Sequence, residues 1–152
     1  MKSQREVALW VWEQAYGMPY IWGGDDAVEG YDCSGLVIEG LQAAGILPRK
    51  GDWRARDLAA KFSVREFSHV SRGDLVCFGD PITHIEIVWH RESLYNRDIG
   101  REPMIWTLGA SGGDSETLTR EDAIRDNAFV KVRPLESLGR PMAFRNPFEG
   151  AP

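Results

Sequence analysis

The chain's 152 residues are enough for one domain with a real core, and 43% hydrophobic and 27% charged residues is a globular balance. A net charge of −5, with no basic stripe of interleaved aromatics, argues against a nucleic-acid partner, and no apolar run approaches the ~20 residues of a membrane span. Two cysteines are too few for a disulfide framework, and with three histidines they show no paired ligand spacing, so neither metal nor cofactor is expected.

Ser3 to Tyr16 has Val7, Trp10, Val11 and Ala15 at helical spacing, with Ser3 and Glu6 as a capping box and Gly17 and Pro19 as stops. Tyr20-Ile21-Trp22-Gly23-Gly24-Asp25-Asp26 reads as a loop whose paired glycines permit close backbone approach. A second helix is expected from about Asp32 to Ala44, with Leu36, Val37, Gly40, Leu41 and Ala44 inward, then Gly45 and Pro48. Asp52 to Phe62 is a shorter helix with Asp52 as its cap.

The period then changes. Asp74 to Phe78, Ile85 to Trp89, Met104 to Leu108 and Ala128 to Val132 are short β-type runs between turn signals. Arg91 to Glu102 is charged and reads as an inserted surface loop. Thr119 to Asp126 is a short helix with Thr119 and Asp122 as a capping pair. The segment from 134 to 152 reads as a tail wrapping the surface of a single domain with its core at about 3–133. Helices first and an antiparallel-looking sheet second make an α+β layout with helices packed on one face.

Asp32-Cys33-Ser34-Gly35 sets one thiol at the start of the second helix, where backbone N–H groups and the helix dipole favour a thiolate. His84 follows far downstream on a strand, the usual order of a papain-like nucleophile and base. Cys77, inside Leu75-Val76-Cys77-Phe78, reads as a core thiol. Asp32 has two roles open, N-cap of its helix or substrate contact. Ser34 is a substrate contact or simply a small residue in the first turn. Tyr20 and Trp22 line the cleft or pack beneath the loop, and most of the six tryptophans read as core.

Tyr20-Ile21-Trp22-Gly23-Gly24, Tyr31-Asp32-Cys33-Ser34-Gly35-Leu36-Val37, Arg72-Gly73-Asp74-Leu75-Val76 and Thr83-His84-Ile85-Glu86-Ile87-Val88 stand in the order and rough spacing of one family. From about Val7 to Val132 the chain resembles the NlpC/P60 cysteine peptidases. The resemblance implies a papain-like α+β core, with N-terminal helices packed on an antiparallel β-sheet, Cys33 as nucleophile and His84 as base. It further implies cleavage of an amide in peptidoglycan stem peptides, commonly between D-glutamate and the diamino acid. It places Asp32 and Ser34 where relatives hold the free amine of the stem peptide.

The chain departs from the family at one point. Thr107-Leu108-Gly109-Ala110-Ser111 puts Gly109 where relatives carry a polar residue, often His, on the strand after the base. Glycine cannot orient an imidazole. Glu86, two residues beyond His84 on one strand, has its Cβ ~7 Å away on the same face and is the candidate substitute, unless it is an ordinary exposed strand glutamate. Thr107 or a backbone carbonyl is the other possibility. His90 shares the face but lies ~20 Å from His84, and His69 reads as a surface residue.

Met1 to Glu6 lacks the layout of a signal peptide. The expectation is synthesis in the cytoplasm, then action on the wall by a phage-type or other non-classical route, or on wall peptides in the cytoplasm. Possible partners include phage tail proteins. The alternative function is a tail-associated structural or assembly protein with weak or absent hydrolysis.

Overall fold

The computed structural model describes residues 1–92, 100, 103–139, 141 and 143–149. The expected loop from Arg91 to Glu102 lies largely outside the described residues. Ser3 caps α1 (Gln4–Gln14): its hydroxyl accepts the Glu6 N–H, and the Glu6 carboxylate accepts the Ser3 N–H at 2.7 Å. The capping box closes as its spacing requires. α1 buries Ala8 and Trp12, and the Trp12 indole N–H donates to the Leu36 carbonyl at 3.0 Å. That bond ties α1 to the first turns of α2 (Cys33–Ala43), whose Leu36, Val37 and Leu41 are fully buried.

A two-stranded ribbon, β1 (Asp25–Asp26) and β2 (Gly30–Tyr31), leads into α2. α3 (Ala55–Lys61) starts later than expected. Its N-cap is Arg54, not Asp52, because the Asp57 carboxylate reaches back to the Arg54 N–H at 2.9 Å. Downstream come β3 (Ser63–Val64), β4 (Leu75–Phe78), β5 (His84–Arg91), β6 (Ile105–Ser111), α4 (Arg120–Asp126), β7 (Phe129–Pro134) and β8 (Ala143–Asn146). Thr119 and Asp122 cap α4 as a box.

Among the described residues the main sheet has six strands in the order β3-β8-β4-β5-β6-β7, every neighbour antiparallel. Where a surface-wrapping tail was expected, β8 instead sits inside the sheet, pairing β3 on one side and β4 on the other. Four residues with Phe144 alone buried, between Pro141 and Pro147, are too short to stand out as a strand, and their stability comes from the two neighbours.

Strand alternation divides the sheet. Leu75, Cys77, Ile85, Ile87, Leu108, Ala110 and Val130 join the core beneath α1 and α2. Val76, Phe78, Val88, Ile105 and Phe144 form a second cluster. His84 and Glu86 fall on the alternate positions of β5, out of step with Ile85 and Ile87. The buried Asp74 carboxylate anchors the entry to β4: Arg65 approaches it at 3.0 Å, Arg5 at 3.4 Å, and the Ser71 N–H donates to it at 2.9 Å.

Candidate active site

Cys33 is the first residue of α2 and Asp32 its N-cap, with Oδ1 accepting the Gly35 N–H at 2.7 Å. The Asp32 N–H in turn donates to the Gly24 carbonyl at 2.9 Å, so the loop of paired glycines is stitched to the helix start. This contact requires glycine at 35. A Cβ there would run into the Gly24 carbonyl and lie 2.8 Å from Asp32 Oδ1. Burial pushes the Asp32 carboxyl upward, partly offset by the N–H of Gly35, the hydroxyl of Ser34 and the N–H of Gly23. The capping role of Asp32 is therefore realised, while its carboxylate also borders the cleft.

His84 opens β5 at the end of the sheet that meets the start of α2. Its Nε2 lies 2.7 Å from Glu86 Oε2, and the Cys33 side chain is the imidazole's partner toward the cleft. Burial opposes the imidazolium. The hydrogen bonds and negative charge of Cys33 and Glu86 outweigh it, and the pKa of His84 rises from 6.5 to about 9.

Glu86 is not an exposed strand residue: it is 1% exposed. Its Oε1 accepts the Thr107 hydroxyl at 2.9 Å, and Arg133 on β7 lies 3.8 Å from Oε2. Gly109, the departure seen in the sequence, supplies the space. A Cβ at 109 would overlap the Glu86 carboxyl carbon and sit 2.6 Å from Oε1. The carboxylate on β5 thus fills the volume that a side chain on β6 would otherwise take, and Thr107 braces the carboxylate rather than the imidazole.

Cys33 and His84 share a cleft of about 790 Å³. Tyr20, Trp22, Asp32 and Ser34 all border it, so the structure gathers every site residue singled out from the sequence except the buried Glu86, which lies behind His84. Tyr20 is buried and Trp22 is half exposed, at 52%. The Tyr20 phenol is held protonated, chiefly by burial and then by the nearby charges of Cys33, Asp32 and Asp114. The loop carrying both aromatics is pinned from below: Tyr20 N–H donates to Ala128 at 3.0 Å and Trp22 N–H to Thr117 at 2.8 Å.

The sequence did not single out Asp114, Arg54 and Arg56, which also border the cleft, or Arg133 behind it. Arg54 and Arg56 carry no motif beyond their place at the start of α3. Asp114 follows the Gly112-Gly113 turn after β6, and Arg133 becomes visible only through strand register. Cys77 is fully buried, and burial pushes its thiol up to about 11. His69 is exposed and lies 3.8 Å from Glu66. Among the described residues no group of three or more His, Cys, Asp or Glu could hold a metal ion, and no helix is long and apolar enough to cross a membrane.

Comparison with known proteins agrees with this geometry. The NlpC/P60 family model matches residues 17–113. "Bifunctional muramidase/DL-endopeptidase CwlT" of Bacillus subtilis is 38% identical over 86 residues, covering 53% of this chain and 25% of the relative. "Probable endopeptidase YafL" of Escherichia coli is 38% identical over 81 residues, covering 48% of this chain and 29% of the relative. The chain thus spans roughly a quarter of the length of these curated relatives. The peptidoglycan hydrolase RipB of Mycobacterium tuberculosis shares the fold, with a TM-score of 0.63 at 22% identity over 94% of this chain and 64% of that one. With a family model matching well over half its length, the chain belongs to the NlpC/P60 family.

Proposed function

We propose that this protein is a cysteine peptidase that hydrolyses an amide bond in peptidoglycan stem peptides, between D-glutamate and the diamino acid. The observation that carries the proposal is the line Cys33–His84–Glu86, set in a cleft that has both acidic and basic walls. A stem peptide presents amines and carboxylates together. Asp32 and Asp114 beside Tyr20 suit an amine, and Arg54 and Arg56 suit a carboxylate. The relatives' names point the same way: DL-endopeptidase for one, peptidoglycan hydrolase for another.

In this reading His84 takes the Cys33 proton as the thiolate attacks the scissile carbonyl carbon. The N–H groups of Cys33 and Ser34, at the start of α2 and without intrahelical acceptors, face the oxyanion as it develops. His84 then gives its proton to the leaving amine as the C–N bond breaks, forming a thioester. Water, deprotonated by His84, cleaves the thioester and returns the thiol. Glu86 holds the imidazole in one orientation and stabilises its charged form.

The alternative reading, a phage-tail assembly protein with little hydrolysis, drew on Gly109. That ground weakens once Glu86 occupies the space Gly109 leaves. The test is digestion of purified peptidoglycan and free stem peptides by wild type and Cys33→Ala, with fragments read by mass spectrometry. Cleavage at one stem-peptide bond, lost in the variant, is expected. No cleavage of either substrate by folded wild type would favour the assembly reading, with binding to tail proteins as its own assay.

A further inference from the structure

Glu86 has a buried carboxylate whose neighbours come from four strands. The titratable and charged groups facing it among the described residues are His84 on its own strand, Cys33 through His84, and Lys131 and Arg133 on β7. β6 offers only the hydroxyls of Thr107 and Ser111, and β4 presents apolar Val76 opposite it. Lys131 pairs with Gly109, and its ammonium is drawn to the Asn127 carbonyl at 2.7 Å. Arg133 pairs with Thr107, donates to Ser111 Oγ at 2.7 Å, and reaches to 3.8 Å from Glu86 Oε2. Its Nε is buried without a hydrogen-bond partner, a desolvation cost that a purely space-filling side chain would avoid.

We infer that Arg133 is a positioning residue: its guanidinium, fixed on Ser111, faces the buried Glu86 carboxylate and holds it in place, and so keeps His84 oriented toward Cys33. Cys33, His84, Glu86 and Arg133 then form one line from the cleft to the far strand. A carboxylate is costly to bury unless a cation stands beside it. Arg133 is the permanent cation of the set, because His84 carries its charge only while protonated. Ser111, which borders the cleft, fixes the guanidinium in place. The inference rests on the peptidase reading for its substrate but not for its dyad.

Without Arg133 the Glu86 carboxylate loses the cation beside it, and the imidazole it holds is less well aligned with Cys33.

The experiment compares wild type, Arg133→Gln, Arg133→Lys, Glu86→Gln and the double variant Glu86→Gln/Arg133→Gln. Two readouts are taken against pH: peptidoglycan hydrolysis, and alkylation of Cys33 by iodoacetamide followed on the Cys33 peptide. Arg133→Gln is expected to lower both rates about tenfold, and Arg133→Lys to restore most of each. In the Glu86→Gln background the second substitution is expected to add nothing to either loss. Unchanged alkylation in Arg133→Gln, no rescue by Arg133→Lys, or independent effects in the double variant would overturn the inference. If Arg133→Gln fails to fold, Arg133→Met takes its place with the same outcomes. Absent hydrolysis by wild type with the effect on alkylation intact would remove the substrate reading and leave the role of Arg133 standing.

Discussion

The two halves of the site are built by different means. Cys33 is held mostly by backbone: a helix start and a glycine loop bonded to it, with the Asp32 carboxylate as its cap, all within a dozen residues of sequence. His84 is held by side chains, through a chain of contacts crossing β5, β6 and β7. Backbone scaffolding fixes a position and tolerates pH. A side-chain network fixes an orientation and a charge state, and its weak point is titration. The histidine half should therefore respond to charge substitutions and pH, and the cysteine half to added volume.

Glu86→Gln should have the largest effect on turnover, about a hundredfold or more by loss of base orientation and charge support. It should also move the basic limb. His84 is charged up to about 9 in the folded protein against 6.5 for a free imidazole, so the stability of its pairing is complete below 6.5 and lost as pH rises through about 9. With the Glu86 charge gone, the limb should shift downward, and a pH–rate profile reads it. An unshifted limb would mean that Cys33 alone supports the imidazolium.

Gly35→Ala and Gly109→Ala sharpen the contrast at the next level. Each adds one methyl where none fits, at about 1–3 kcal/mol of lost stability by overpacking. They should differ in kind: Gly109→Ala disturbs Glu86 and should alter the pH profile, whereas Gly35→Ala displaces the helix start and should lower activity without moving the limbs. Denaturant melts with pH–rate curves separate them. Asp32 should show the smallest change. Asp32→Ala should cost about 1 kcal/mol as a lost N-cap. Asp32→Asn should keep that stability, so a raised KM in the Asn variant alone would assign the carboxylate to substrate.

What could be read from the sequence follows the same division. The capping boxes of α1 and α4 and the Asp32 cap of α2 involve residues three apart, and periodicity placed the helices and the long strands. Same-strand spacing was enough to pair Glu86 with His84. The brace from Thr107, the space left by Gly109 and the approach of Arg133 depend on register between strands, which no local pattern states. β3 and β8 were illegible for a related reason. With two and four residues they have little preference of their own and become strands only against each other and β4. The cap of α3 was misplaced because Asp57, rather than the first acidic residue, supplies the bond.

The position of β8 has a consequence for synthesis. β4 is paired on one side by β5 and on the other by β8, while β3 joins the sheet only through β8. A nascent chain can form the hairpin of β4 and β5 early, but β4 remains an open edge until Ala143–Asn146 has left the ribosome. Such an edge is a template for pairing with another chain. Prematurely terminated products ending before Ala143 would therefore expose β4 and the underside of Phe78 and Val76, and would be substrates for chaperones or aggregation rather than partially active enzymes.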